Sequence, residues 1–85
     1  MDATGAKSKK QPALRFKSGE EVREMRRKLG MNQSDFWRRI SVTQLGGSRY
    51  ESGRNIPAPV RLLLHMTYAS EKQANDLFAW LRNKA

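Results

Sequence analysis

The chain has 85 residues, the size of one small domain, and it contains no cysteine, which excludes disulfides and thiolate metal sites. No apolar run is long enough to cross a membrane. The formal net charge of +9 favours a polyanionic partner, because cations that neutralise phosphates release bound counterions, although a basic surface can also serve solubility alone.

Residues 1–15 are predicted to form a flexible basic arm, and residues 16–85 a single helical domain. The start of the chain is small, polar and lysine-rich, without periodicity or a signal-peptide-like apolar segment. The basic residues here are Lys7, Lys9, Lys10, Arg15 and Lys17. Such an arm either follows a DNA groove or only keeps the chain soluble. A cysteine-free basic chain is expected in the cytoplasm, associated with the nucleoid.

A first helix is predicted from Ser18 to about Leu29. Ser18 and Glu21 have the spacing of a capping box. One face carries residues at helical spacing, namely Val22, Met25, Arg26 and Leu29. Gly30 then ends the helix.

Two short helices follow across a break at residues 41–43, which gives a helix-turn-helix motif over residues 33–52. Asn32 caps the second helix, which is predicted over residues 33–40. Its inward residues are Phe36, Trp37 and Ile40. Val42 fills the angle between the helices, Thr43 caps the third helix, and Gly53 follows its end near Ser52.

Two further helices complete the pattern. Ile56 anchors a loop, and Pro57 or Pro59 opens the fourth helix. The expected core residues of that helix are Val60, Leu63, Leu64 and Thr67, with His65 at the surface or core edge rather than on a metal. Ser70 and Gln73 resemble a capping box for the fifth helix, whose apolar stripe is Ala74, Leu77, Phe78 and Leu81, with Trp80 exposed beside it. No segment alternates like a strand, so the fold class is all-α.

Residues 22–64 resemble the phage repressor/Cro class of helix-turn-helix domains, also called the XRE family. The matching positions are Val22, Met25, Arg26, Gly30, Met31, Gln33, Phe36, Ile40, Val42, Thr43, Tyr50, Glu51, Gly53 and Pro57. The resemblance implies a compact five-helix bundle of the lambda-repressor-like type. It also implies that the third helix lies in the major groove of DNA and the second crosses the backbone.

The free face of the third helix supplies the predicted base contacts. A Gln44 amide matches the N6/N7 edge of adenine, and an exposed Leu45 suits a thymine methyl group. Ser48 is short enough for a base edge or a phosphate, and Arg49 can reach guanine or a phosphate. The alternative for Gln44, as for Gln33, is an ordinary polar residue at a helix start, and the alternative for Arg49 is a solvated surface charge.

Backbone contacts are predicted for Thr43, Arg54 and Lys17, with solvated surface charge as the alternative for the cations. The resemblance implies that Gln33 bonds a phosphate and braces Gln44.

The resemblance also implies that Arg26 and Glu51 pair across the first and third helices, as structural residues.

The chain departs from the family pattern in three respects. Ser41 stands where the turn usually has glycine, which requires a left-handed serine. Trp37 replaces a usual alanine, and Gly46 with Gly47 replaces larger residues in the third helix. We expect Trp37 to pack over Gly47 or Gly46, since an indole on one helix needs space on its neighbour; a half-exposed Trp37 is the alternative.

These patterns predict a sequence-specific regulator of double-stranded DNA, most simply a repressor, that acts without cofactor or metal and is not an enzyme. A homodimer through the fifth helix is expected. The alternative is an antitoxin, with a toxin or other protein partner, or an interaction module without DNA binding. Nonspecific single-strand binding needs exposed aromatic residues, for which only Trp80 and Tyr68 are candidates.

Overall fold

Five α-helices form the secondary structure of residues 10–83, which are the residues that the computed structural model describes. The helices are α1 Gly19–Lys28, α2 Gln33–Arg38, α3 Gln44–Glu51, α4 Ala58–Tyr68 and α5 Glu71–Asn83. No strand occurs within the described residues, and the all-α prediction is confirmed. Most of the predicted arm, residues 1–9, lies outside the described residues, as do residues 84–85.

The helix starts are set by local caps. The side chains of Ser18, Asn32 and Thr43 each accept the backbone N–H of the residue three positions on, at 3.3, 2.8 and 3.1 Å. Ser70 and Gln73 form a reciprocal capping box, in which each backbone N–H donates to the other side chain at 3.1 Å. The predicted caps are therefore confirmed.

The turns depend on three residues with positive φ. Gly30 (φ 69°) follows α1 and Gly53 (φ 118°) follows α3, while Ser41 (φ 64°) adopts the predicted left-handed conformation between α2 and α3. The second helix ends earlier than predicted, at Arg38, because the Ile40 and Ser41 N–H groups bond carbonyls three residues back and tighten the chain into the turn.

The core lies between α1, α2, α3 and α4. Its buried residues are Phe16, Val22, Phe36, Trp37, Ile40, Ile56, Leu64 and Tyr68. The rings of Phe36 and Tyr68 stack at 3.9 Å between centroids, and the Tyr68 hydroxyl donates to the Phe36 carbonyl at 2.6 Å. Burial raises the pKa of Tyr68, and the charge of Arg39 opposes that shift. Tyr68 is thus a core residue, which removes it as a candidate stacking aromatic for the single-strand-binding alternative.

The two carboxyl-terminal helices present other faces than predicted. On α4 the buried residues are Leu64, His65 and Tyr68, whereas Leu63 and Thr67 are exposed. On α5 the buried side runs through Ala74, Leu77 and Trp80, so Phe78 and Leu81 are exposed and Trp80 is partly buried. Leu29, at the end of α1, is also exposed. The apolar residues of α4 and of α5 are each compatible with burial of either of two neighbouring helix faces. The packing of α4 against α5 buries the face that includes His65 on α4 and Trp80 on α5.

The buried His65 fixes the segment that precedes α1. The Arg15 backbone N–H donates to His65 Nδ1 at 2.9 Å, and His65 Nε2 lies 3.0 Å from the Gln73 carbonyl. A ring protonated on Nε2 satisfies both partners. Phe16, which is 1% exposed, follows directly. The prediction of a surface or core-edge histidine was therefore wrong.

Candidate nucleic-acid interface

The carboxyl end of α3 is bound to α1 and α2 through one buried carboxylate. The Glu51 side chain is fully buried, and its two oxygens accept from Arg26 Nε and Nη2 at 2.9 and 3.0 Å. Gln33 Nε2 donates to it at 3.1 Å and Trp37 Nε1 at 2.8 Å. We call these four residues the Glu51 cluster. The Arg26–Glu51 pair that the resemblance implied is present.

The protonation of Glu51 follows from this surrounding. Burial by itself raises the pKa of the carboxyl, because desolvation penalises the charged form. The hydrogen bonds from Arg26, Trp37 and Gln33, together with the Arg26 charge, outweigh burial and hold the pKa of Glu51 below its usual value. The carboxylate is therefore charged at neutral pH, which completes the pairing of the buried guanidinium.

Two glycines allow the backbones to approach one another around α3. A Cβ built on Gly47 would lie 2.2 Å from the Trp37 ring, so the indole packs directly over that glycine. A Cβ on Gly19 would lie 1.9 Å from the Tyr50 carbonyl oxygen, so the start of α1 abuts the end of α3. The contact of Trp37 with Gly47 was predicted from the sequence. The contact of Gly19 with Tyr50 was not, because in the sequence Gly19 resembles any residue at the start of a helix.

The amino end and outer face of α3 are open to solvent. Gln44, Leu45 and Arg49 are exposed, with Leu45 at 62%, and Ser48 is partly exposed. Thr43 is exposed and caps the helix. Leu45 and Arg49 lie on the side of α3 opposite Gly47, whereas Gln44 and Thr43 lie at the open amino end of the helix. The predicted base-contacting residues are therefore all accessible from the amino end and outer face of α3.

A shallow groove of about 310 Å³ runs along the turn and the amino end of α3. It is lined by Ser34, Arg38, Ser41, Val42, Thr43 and Gln44. Sequence reasoning missed Ser34 and Arg38; their signal is the helical spacing that places both on the side of α2 opposite its buried residues. Arg38 also pairs with Asp35, one turn earlier on α2.

Gln33 points elsewhere than the resemblance implied. Its amide nitrogen donates to Glu51 at 3.1 Å, and the side chain is only partly exposed. No hydrogen bond joins it to Gln44 within the described part of the chain, so the expected brace is absent. The amide is drawn inward because the buried carboxylate is the stronger acceptor.

A second groove, of about 460 Å³, lies at the carboxyl end of α3, between the start of α1 and the loop after α3. We call it the carboxyl-end groove. Lys17, Arg23 and Arg54 line it, which brings together the two predicted backbone-contacting cations, Lys17 and Arg54, with a third that sequence reasoning did not single out.

Within residues 10–83, no group of three or more histidine, aspartate or glutamate side chains could hold a metal ion. No helix among the same residues has the length and apolar character needed to span a bilayer.

α3 is held at its carboxyl end by α1 and α2, and its free face carries polar and basic side chains. This arrangement is that of a helix-turn-helix DNA-binding domain. Residues 23–67, which are 45 of the 85 in the chain, match the RsaL-like HTH domain family. The chain therefore belongs to the RsaL-like helix-turn-helix family. The match begins within α1, includes α2 and α3, and ends near the last residue of α4. No curated protein and no solved structure gives a match.

Proposed function

We propose that this protein is a sequence-specific regulator of transcription, and that it represses by occupying an operator and excluding polymerase. The observation that carries this proposal is the contrast within α3, whose carboxyl end is buried while its amino end is free. Within helix-turn-helix proteins we place it in the repressor/Cro class, and the Arg26–Glu51 pair supports that placement.

The outer face of α3 reads the bases in this proposal. Gln44 bonds the N6/N7 edge of adenine through its amide, and Leu45 contacts a thymine methyl group, which gives an exposed leucine an apolar partner. Ser48 and Arg49 lie one turn further along the same face and contact base edges deeper in the site or the adjoining phosphates.

The surrounding polar groups bind the DNA backbone. Thr43 and Gln33 lie at the amino ends of α3 and α2, where backbone N–H groups favour an anion. Gln33 contributes there through its backbone, because its side-chain amide donates to Glu51. Arg38, beside Gln44 in the shallow groove, adds a cation there. Lys17 and Arg54 contact the backbone beyond the other end of α3.

Selection of binding sites from random duplexes tests the proposal. The wild-type chain is expected to enrich a defined sequence, and Gln44→Ala to lose preference at one or two base pairs while it keeps general affinity. Asn83→Ala, which removes an exposed amide at the end of α5, is the matched control and keeps the wild-type preference. If the wild-type chain enriches no sequence, the regulator proposal is wrong.

A homodimer through α5 fits this function, because dimers place two reading helices on a two-fold operator. Phe78 is 49% exposed on α5, with the Arg82 guanidinium 5.5 Å from its ring centroid. Glu71 and Arg82 lie near opposite ends of the helix. Antiparallel pairing of two α5 helices therefore sets Glu71 of one protomer against Arg82 of its partner, with the Phe78 rings near the axis.

Sedimentation equilibrium tests this dimer. Glu71→Arg is expected to weaken self-association, and the double variant Glu71→Arg/Arg82→Glu to restore it. Glu20→Arg, a charge reversal at an exposed position on α1, is the control. A wild-type chain that stays monomeric at high concentration, without DNA and with it, contradicts the dimer.

A further inference from the structure

The carboxyl-end groove gathers positive charge from distant parts of the sequence. Lys17 precedes α1, Arg23 lies on α1, and Arg54 follows α3; Lys17 and Arg54 are exposed. Two acids also line the groove, Glu20 and Glu51. The Glu51 carboxylate is already bonded to Arg26, so the groove presents three cations against the single exposed carboxylate of Glu20.

The groove continues the reading face of α3. Leu45, Ser48 and Ser52 have the i, i+3, i+7 spacing of one helical face, and Ser52 is itself a groove residue. Ser52 is eight positions after Gln44, which corresponds to about 12 Å along a helix. The major groove of DNA is also about 12 Å wide. A helix that enters the major groove by its amino end therefore keeps its carboxyl end beside the bordering sugar-phosphate strand.

We propose that the carboxyl-end groove is a clamp for one phosphodiester of the DNA strand that borders the major groove, with Lys17 and Arg54 as direct ligands and Arg23 as the residue that ties the clamp to α3. This inference rests on the proposed DNA-binding function and adds a defined second contact to it, at the opposite end of α3 from Gln44.

Arg23 provides the mechanical link. Its Nη2 donates to the Glu51 carbonyl oxygen at 2.9 Å, and its Nε lies 3.7 Å from Glu51 Oε1. The side chain is still 36% exposed, and a guanidinium has five N–H donors, so donors remain for a phosphate oxygen. A phosphate held here is thereby fixed relative to the Glu51 cluster, and thus sets how far α3 slides along the major groove.

The salt dependence of binding to a selected duplex is the first test. Lys17→Ala/Arg54→Ala is expected to lower the slope of log affinity against log salt by roughly one or two, while the preferred sequence is unchanged. Lys28→Ala/Lys72→Ala removes two exposed cations elsewhere and serves as the matched control for net charge. If the control lowers the slope as much, the effect is general electrostatics and the clamp is wrong.

Neutralising single phosphates locates the contact. One methylphosphonate beside the major-groove site is expected to weaken wild-type binding by roughly tenfold, and to leave the affinity of Lys17→Ala/Arg54→Ala unchanged. In Arg23→Ala, the methylphosphonate at this phosphate is expected to cause a smaller loss of affinity, and methylphosphonates at neighbouring phosphates are expected to cause a loss as well. The absence of any position where the wild type and the double variant differ overturns the clamp.

The outcomes separate this inference from the regulator proposal. If the wild-type chain selects a sequence but Lys17→Ala/Arg54→Ala has the wild-type salt dependence, the clamp is wrong and the regulator proposal stands. A wild-type chain without sequence preference removes both.

A phosphate can also come from a small ligand, so AMP is titrated against the free protein while the Lys17 and Arg54 amide signals are followed by NMR. We expect no saturation at micromolar AMP; saturation there assigns the groove to a nucleotide and overturns the duplex contact.

Discussion

The two ends of α3 have opposite surroundings although only eight residues form the helix. At the carboxyl end, Gly47 lies under an indole, Tyr50 touches the start of α1, and the Glu51 carboxylate receives four hydrogen bonds. At the amino end, Gln44 and Leu45 are exposed to solvent. One end is therefore specified by the fold, and the other is available to a partner.

This division shows where the stability of α3 comes from. A helix of two turns that contains two glycines is not stable alone, because nucleation is costly and each glycine costs about 1 kcal/mol relative to alanine. Contacts of Gly47 and Glu51 with α1 and α2 must supply what propensity lacks. Residues at the amino end contribute little to this stability, so their identity is free to follow the base contacts proposed for them.

The largest effect is expected from Glu51→Gln, which breaks the anchored end. It leaves the Arg26 side chain, which is only 14% exposed, without its counter-charge and should cost about 3–5 kcal/mol of unfolding free energy. Thermal unfolding measures this as a fall in Tm of more than roughly 10 °C. Glu24→Gln, at an exposed position on α1, is the control, and an unchanged Tm for Glu51→Gln would refute the role of the Glu51 cluster.

The adjacent glycines offer a matched pair of smaller effect. Gly47→Ala places a Cβ 2.2 Å from the Trp37 ring and is expected to cost about 1–3 kcal/mol. At Gly46 a built Cβ would lie 3.3 Å from Thr43 Oγ1 and from Val42 Cγ1, so these side chains must shift by a few tenths of an ångström. The gain in helix propensity, about 1 kcal/mol, opposes that crowding, and Gly46→Ala should therefore cost less than Gly47→Ala. Denaturant unfolding compares them; equal stability of the two variants contradicts the packing of Trp37 on Gly47.

Acid should weaken the anchored end in a defined direction. The unfolded chain takes up a proton on Glu51 near the ordinary pKa of 4.5, whereas the folded chain does so only at lower pH because the folded pKa is lowered. The stabilisation is complete above the ordinary value and is lost as pH falls through the folded value. Denaturant unfolding at low temperature, repeated from pH 7 to pH 3, should therefore show that the difference in unfolding free energy between wild type and Glu51→Gln becomes smaller. A difference that stays constant contradicts the lowered pKa.

The smallest effect is expected at the free end. Gln44→Ala and Leu45→Ala should change the unfolding free energy by less than about 0.5 kcal/mol, since neither side chain is buried. Both should alter DNA preference. If Gln44→Ala or Leu45→Ala lowers the unfolding free energy as much as Gly47→Ala does, the proposed difference between the two ends of α3 is wrong.

Features set by neighbours in sequence were predictable in this chain. The caps at Ser18, Asn32 and Thr43, the left-handed Ser41 and the two glycine stops each depend on a few adjacent residues. The starts of α1, α2, α3 and α5 follow from side-chain caps, whereas α4 begins at prolines without a side-chain cap.

Contacts between elements were only partly predictable: the packing of Trp37 over Gly47 was anticipated, whereas others were not. Gly19 is close to Tyr50 only once α1 and α3 meet, and His65 is buried because the segment at Arg15 covers it. The apolar stripes of α4 and α5 were ambiguous by about one position, and this reversed the expected exposure of Phe78 and Trp80. At the site, the Arg26–Glu51 pair was anticipated through resemblance, but the inward turn of Gln33 depends on competition for a buried carboxylate.

The most direct test of the account is a methylation-protection experiment on a selected duplex. If the amino end of α3 lies in the major groove, binding protects guanine N7 atoms within the site, and Gln44→Ala shows altered protection at the base pair next to its contact. Unprotected N7 atoms throughout the bound site, with protection confined to adenine N3 in the minor groove, would contradict it.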